Sequence, residues 1–305
     1  MRKLVMTFIL LLTYMVSIGL FFSNRIMYIK KKEADFILDR ELREKRFIQT
    51  EYETLEKEEI IIPSSFGYEI KGTFIPSKRE TDQYIIICHG VTMSRVNSIK
   101  YMYLFHNRNF NVIMYVHRRH GESGGKTTSY GHYEKYDLQS VVHWTKETFG
   151  EDITLGIHGE SMGAVTTLLY AGMLEDGADF YIADCPFSDF EEQLTYLLKK
   201  DFKLPKQAVL PFGNTFLKIR DQYTVKDVSP ISCIHTIKSP VLFIHSKEDD
   251  YILPTMSRQL YEKKVGPKKI VIAPKGSHAY SYGDNPELYE EVIDDFLHDF
   301  IFQSK

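Results

Sequence analysis

The sequence predicts an α/β fold, a mostly parallel sheet flanked by helices on both faces, and three observations carry that prediction. Short apolar runs of strand length occur at 70–75, 84–88, 112–116, 153–158, 181–184, 241–245 and 269–273, most of them rich in β-branched or aromatic residues. Segments of helical length separate them, at 99–107, 137–149, 162–173, 255–264 and 286–300. The strands are apolar on both faces, as expected where helices cover a sheet on each side. No internal repeat interrupts the alternation.

Ahead of this pattern, residues 4–24 carry no charge and are dominated by Leu, Ile, Val, Phe and Met. Roughly 20 apolar residues at ~1.5 Å each match the ~30 Å hydrocarbon core of a bilayer. Arg2 and Lys3 precede the run, and Arg25 and Lys30-Lys31-Lys32 follow it. Ser17-Ile18-Gly19 is a poor small-x-small cleavage site, and the later basic cluster suits an anchor better than a cleaved signal. Residues 1–32 therefore read as an N-terminal transmembrane anchor with basic flanks, placing the protein at the cell membrane as a single-pass chain. The flanking charges slightly favour a cytoplasmic C-terminal part without deciding the side.

Residues 33–59 are dense in Glu, Lys and Arg, with Phe36, Ile37, Leu42, Phe47 and Ile48 interspersed. They read as a charged helical stalk, or equally as a surface helix packed on the main domain. Residues 60–305 form the α/β domain. Within it, 186–239 contains no strand pattern and instead carries helix-like pieces with Leu194, Tyr196, Leu197, Leu198, Phe202, Val209, Leu210, Phe212, Phe216 and Leu217. An insertion of this size between two core strands reads as a helical lid, its apolar residues lining an acyl pocket or packing on the core.

Composition narrows the function. With 305 residues, 43% hydrophobic and 26% charged, the chain suits one large α/β domain plus extras. A formal net charge of −3, without an aromatic-studded basic stripe, gives no reason to expect nucleic acid as a partner. Cys88, Cys185 and Cys233 are too few and too widely spaced for a disulfide framework or a CxxC metal site, and read as buried thiols.

Gly159-Glu160-Ser161-Met162-Gly163 follows a predicted strand and opens a predicted helix. A sharp turn around a nucleophile needs small residues on both sides, and it sets the hydroxyl above the sheet near the positive end of the helix. A serine hydroxyl needs a neutral imidazole to take its proton and a carboxylate to orient that imidazole. Both should lie past the ends of other strands. Asp249 and Asp250 follow the 241–245 strand, and Gly276-Ser277-His278 follows the next one. Of the eleven histidines, His278 alone stands between the last strand and the last long helix. The order Ser…Asp…His is the one this architecture expects. Past the 84–88 strand, the main-chain amide of Val91 can pair with that of Met162 to hold an oxyanion, with Gly90 allowing close approach. His89 reads as shaping that loop. His117 and His120 flank an arginine pair, with no convergent carboxylate to make a metal site.

Together, Ile-Cys-His89-Gly90, His-Gly159-Glu-Ser161-Met-Gly163, Phe-Ile-His245-Ser-Lys-Glu-Asp249 and Gly276-Ser-His278 resemble the α/β-hydrolase superfamily. Within it the nearest likeness is to the YqkD-like group of membrane-anchored bacterial hydrolases, over essentially the whole chain. The resemblance implies a serine-dependent hydrolase with esterase, thioesterase, acyltransferase or peptidase relatives. It also implies that Asp249 is the acid, three residues after Ser246 and eleven before Leu260-Tyr261, with Asp250 a loop acid and Asp184 a third candidate. Two departures stand out. Relatives often carry Asp-x-Arg before a Gly-x-Ser turn, whereas this chain reads Val116-His117-Arg118-Arg119-His120-Gly121-Glu122-Ser123, and their proline after the acid appears one place late, at Pro254. The expected reaction is hydrolysis of an ester-like bond through an acyl-enzyme, on a small acyl substrate or a peptide, with no cofactor or metal required. A peptidase, thioesterase or acyltransferase with the same triad, and a non-catalytic binding protein, are the alternatives.

Overall fold

The computed structural model describes residues 1–44 and 46–303. Its described strands are β1 (Glu58–Pro63), β2 (Glu69–Ile75), β3 (Gln83–Cys88), β4 (Asn111–Tyr115), β5 (Thr154–Glu160), β6 (Phe180–Asp184), β7 (Val241–Ser246) and β8 (Lys268–Ala273). The helices that precede β1 are α1 (Arg2–Met27), α2 (Ala34–Arg43) and α3 (Gln49–Thr54). Between the strands lie α4 (Arg95–His106), α5 (Glu134–Phe149), α6 (Met162–Met173), α7 (Phe190–Leu197), α8 (Lys206–Asp221), α9 (Pro230–Cys233) and α10 (Pro254–Lys263), and α11 (Pro286–Leu297) follows β8.

The strands form one sheet in the order β1-β2-β4-β3-β5-β6-β7-β8. β1 and β2 are antiparallel to their neighbours, and every pair from β4 to β8 is parallel. The chain leaves β3 toward one side and returns to its other side as β5. A crevice therefore opens past the carboxyl ends of β3 and β5, where such sheets bind ligands.

Alternation along the strands divides the core. Ile86 and Cys88 of β3 and Phe243 of β7 pack with Leu138 and Val141 of α5 and Leu168 of α6. Ile85 and Ile87, with Leu242 and Ile244, face Met102 and Phe105 of α4 and Ile293 and Phe296 of α11. Each fully buried aliphatic side chain contributes about 1.5–3 kcal/mol, so the three isoleucines of β3 pin the sheet from both sides.

The segment 33–59 is not a free-standing stalk. α2 and α3 lie against the domain with Ile37 and Phe47 buried, and Leu38, Leu42 and Tyr52 pack on the α4 side of the core. Glu41 is buried and bonded to Arg40 and Arg46, whose guanidinium lies 4.5 Å from the Tyr280 ring centroid. The segment is amphipathic, and its apolar face found the domain. The expected boundary at residue 60 also cuts through β1, an edge strand that the charged pair Glu58-Glu59 disguised as more of the same polar run. Ile60 and Ile62 turn inward while Ile61 is exposed.

α1 is long and apolar enough to cross a membrane. Up to residue 17 it stands exposed, and then Gly19, Phe22, Ser23, Ile26 and Met27 are buried against α8. The two helices meet through reciprocal glycine–phenylalanine contacts. A Cβ at Gly19 would lie 2.2 Å from the Phe216 ring, and one at Gly213 would lie 2.2 Å from the Phe22 ring. Small residues of this kind let helix backbones approach closely. Arg220 donates to Ser23 Oγ at 2.5 Å, and the Tyr14 hydroxyl donates to the Ala208 carbonyl at 2.9 Å.

The inward turn of β1 can be tested by truncation. Ile62→Ala is expected to lower unfolding free energy by about 2–4 kcal/mol, whereas Ile61→Ala stays within about 0.5 kcal/mol, both measured by denaturant titration. Equal effects would contradict the register.

Candidate active site

Ser161 sits between the last residue of β5 and the first of α6, with φ 56° and ψ −115°, a strained conformation for a residue with a Cβ. Its neighbours leave no room for a larger chain. A Cβ at Gly159 would lie 2.4 Å from the Gly163 carbonyl carbon, and one at Gly163 would lie 2.1 Å from the Cys88 carbonyl oxygen. The Ser161 amide donates to the Asp184 carbonyl at 2.8 Å, fixing the turn to β6.

The structure brings the three expected side chains into one chain of hydrogen bonds. Ser161 Oγ lies 2.8 Å from His278 Nε2, and His278 Nδ1 lies 2.7 Å from Asp249 Oδ2. The other Asp249 oxygen accepts from the amides of Tyr251 and Ile252, each at 2.9 Å. Burial pushes this carboxyl up, but hydrogen bonds from His245 and His278 outweigh it and hold it well below the usual carboxylate range. The other two acids stand elsewhere. Asp250 is exposed and pairs with Lys200 at 2.7 Å. Asp184 takes the hydroxyls of Tyr101 and Tyr289 at 3.1 and 3.2 Å. The displaced proline, Pro254, starts α10 at a position where its missing amide costs nothing.

His245 is a participant that position in the sequence did not single out. Its Nε2 faces two acceptors, Asp249 Oδ2 at 3.1 Å and the Ile252 carbonyl at 2.9 Å, so that nitrogen carries the proton. Nδ1 then accepts from Ser257 Oγ at 2.7 Å. This buried ring is a positioning residue that steadies the carboxylate behind His278. Its only sequence signal is its place at the end of β7.

Val91 and Met162 both border the cavity beside Ser161. Met162 is the first residue of α6, so its amide has no intrahelical acceptor. Three buried histidines hold the Val91 loop. The His117 amide donates to His89 Nε2 at 3.0 Å, which puts the His89 proton on Nδ1, 2.8 Å from the Gly90 carbonyl. The Thr92 amide donates to His120 Nε2 at 3.1 Å, and His120 Nδ1 donates to the Arg118 carbonyl at 2.9 Å. Burial pushes His117 down to about 3 and His120 to about 4, so both rings are neutral. The His117 ring packs 4.6 Å from the His89 ring, centroid to centroid. The Arg118 guanidinium lies 4.5 Å from the Tyr133 ring centroid.

Beneath the turn lies a second feature the sequence did not disclose. Glu160 is buried and accepts from Lys100 Nζ at 2.6 Å and the Tyr101 hydroxyl at 2.8 Å. Burial pushes its carboxyl up, but the Lys100 charge and the hydrogen bonds from Lys100 and Tyr101 bring it down to about 2. Burial and the charge of Glu160 push neighbouring Asp184 up to about 6.

Above the serine is a cavity of about 660 Å³, within the usual ~300–1,000 Å³ of small-molecule sites. Phe187, Phe190, Leu194, Leu197, Leu198 and Val209 of the 186–239 insertion line it. Phe212 and Phe216 instead meet α1, at Tyr14 and Gly19. Residues of α1 and its exit, among them Ile18, Phe22, Ile26 and Ile29, form another wall.

This fold, with a hydroxyl-bearing turn at its crevice, defines the class: the chain belongs to the α/β-hydrolase family. It is 50% identical to YqkD of Bacillus subtilis (strain 168) over 97% of both chains. Residues 79–221 match the family described as serine aminopeptidase, S33. A membrane protein of Saccharomyces cerevisiae, YNL320W, is 23% identical over 75% of this chain and 74% of its own. In three dimensions the esterase Pf2001 of Pyrococcus furiosus superposes with a TM-score of 0.67 at 22% identity, covering 83% of this chain and 95% of the esterase.

The Lys100–Glu160 pair carries a pH signature. Because Glu160 falls from 4.5 to about 2 on folding, its contribution to stability is complete above about pH 4.5 and is lost as pH falls toward about 2. Glu160→Gln is expected to flatten the fall of the thermal midpoint across that window. An unchanged acid slope would exclude this assignment.

Proposed function

We propose that the protein is a serine hydrolase that cleaves an ester-like bond through an acyl-enzyme, held at the membrane by α1. His278 Nε2 takes the Ser161 hydroxyl proton as Oγ attacks the ester carbonyl carbon. The Val91 and Met162 amides donate to the resulting oxyanion. His278 then passes the proton to the departing alkoxide, leaving an acyl-serine. Water repeats the sequence in reverse and releases the acid. Asp249 holds the His278 Nδ1–H and stabilises the imidazolium. Each step uses groups of the chain and water alone.

The observation that carries this reading is the unbroken run from Ser161 Oγ to Asp249 Oδ2, at 2.8 and 2.7 Å, at the floor of a mostly apolar cavity. Support for the anchor comes from the length and composition of α1 and from the description of YNL320W as a membrane protein.

Cleavage of a peptide from its amino end is the second reading, favoured by the description of the matching family. An aminopeptidase needs an anionic pocket for the substrate ammonium. Here Asp201 is the single carboxylate among the described lining residues, set against Arg25 and Lys30. That balance favours an ester. p-Nitrophenyl esters, aminoacyl anilides and acyl thioesters compared side by side separate the bond types.

Fluorophosphonate is expected to label the full chain and to leave Ser161→Ala unlabelled, with ester turnover down by about 10³-fold or more. Equal labelling of both would mean another nucleophile. Asp249→Asn is expected to lower kcat by about 10³–10⁴-fold and Asp250→Asn by less than about threefold, in steady-state kinetics. The reverse ranking would exchange the two acids.

A further inference from the structure

α1 enters the cavity wall at a telling height. The uncharged run of residues 4–24 is what a bilayer core of ~30 Å takes up. Yet Ile18, Phe21 and Phe22, inside that run, line the cavity that holds Ser161. Arg25 and Lys30, just beyond it, also line the cavity and lie where basic residues meet lipid headgroups. If α1 spans a bilayer, the cavity mouth cannot stand away from the membrane surface.

The insertion shows the same level from the other side. α7 ends in a π-helical turn, Leu198–Phe202, closed by Lys203 in the left-handed region at φ 55°. Phe202 and Leu204 line the cavity and are nevertheless 48% and 40% exposed. Four lysines surround them. Lys200 and Lys206 are paired with Asp250 and Glu191, and Lys199 and Lys203 are exposed. Exposed apolar side chains among lysines, beside a membrane helix, match the interfacial pattern of apolar residues in the lipid and cations on the headgroups.

We propose that α1 is part of the substrate site as well as an anchor, and that the substrate is a membrane-resident ester with one long acyl chain, entering between α1 and the 198–206 turn. This rests on the serine hydrolase reading and names its substrate class. A cavity of about 660 Å³ holds on the order of 20 non-hydrogen atoms at roughly 30 Å³ for each water-sized group. That is one long chain and its ester. The apolar wall takes the chain, and Arg25 and Lys30 sit at the level of the polar head.

The test uses the full chain reconstituted in vesicles of phosphatidylcholine and phosphatidylglycerol, with a sixteen-carbon fluorogenic acyl ester in the same bilayer. Turnover should follow the mole fraction of ester in the membrane and stay constant when the vesicles are diluted about tenfold. Turnover that follows bulk concentration would overturn the proposal. Ile18→Trp, which fills the α1 wall, should lower the ratio of kcat/KM for the sixteen-carbon ester to that for the acetate ester by about tenfold or more. Phe21→Ala, at an exposed position that places little burden on folding, should lower it in the same direction. Leu11→Trp, on the free part of α1, should leave the ratio unchanged. An unchanged ratio in both wall variants, with Ser161→Ala inactive on both esters, would refute the α1 site and leave the serine hydrolase intact. Acetate turnover that survives Ser161→Ala would instead remove the reading beneath it.

Discussion

The backbone at Ser161 can turn as it does only because nothing but hydrogen occupies the side-chain positions of Gly159 and Gly163. α6 rests almost directly on the end of β3, with the Gly163 Cα against the Cys88 carbonyl. That approach brings the free amide at the start of α6 beside the loop that leaves β3. It also puts the hydroxyl at the crevice where the strand order reverses. The strained φ and ψ of Ser161 persist because the surroundings over-determine them: the Asp184 carbonyl holds its amide, and the buried sheet holds both flanks.

Charge is arranged around this turn in two layers. Below, Lys100 and Glu160 form a buried pair bridged by Tyr101 toward Asp184. Two carboxylates so close do not ionise equally. The one facing the ammonium keeps its charge, and the other is pushed up. Above, Asp249 keeps its charge by accepting from two backbone amides and two imidazoles. The three histidines beside the Val91 loop are neutral; His89 and His120 spend their ring nitrogens on the backbone, and His117 Nδ1 faces the Tyr115 hydroxyl.

The N-terminal helix and the insertion are coupled by shape. Gly19 receives Phe216 and Gly213 receives Phe22, so the second half of α1 and α8 fit in one register. The apolar residues of the insertion divide accordingly, some facing the cavity and others facing α1. That division ties the cavity wall to the segment long enough to cross a bilayer.

Much of this was legible in the order of residues. Runs such as Tyr84–Cys88 and Val241–Ile244 are too apolar, on both faces, to be anything but covered strands of a parallel sheet. The glycines around Ser161, the place of His278 and that of an acid at 249 or 250 past a strand end follow from local geometry and chain order, and the family resemblance is what points to Asp249. Other features depend on residues far apart in the chain. β1 is a strand because β2 offers it an edge, although Glu58-Glu59 looks like more of the charged run before it. Glu160 and the His89–His117–His120 cluster acquire roles from partners 28 to 60 residues away in sequence, while His245 acquires its role from the fold of its own strand end, with partners 4 to 12 residues on. The lid residues sort between cavity and α1 only once two helices have met through their glycines. Periodicity and turn chemistry are local properties of a chain, whereas burial and hydrogen-bond partners are decided by which surfaces come together.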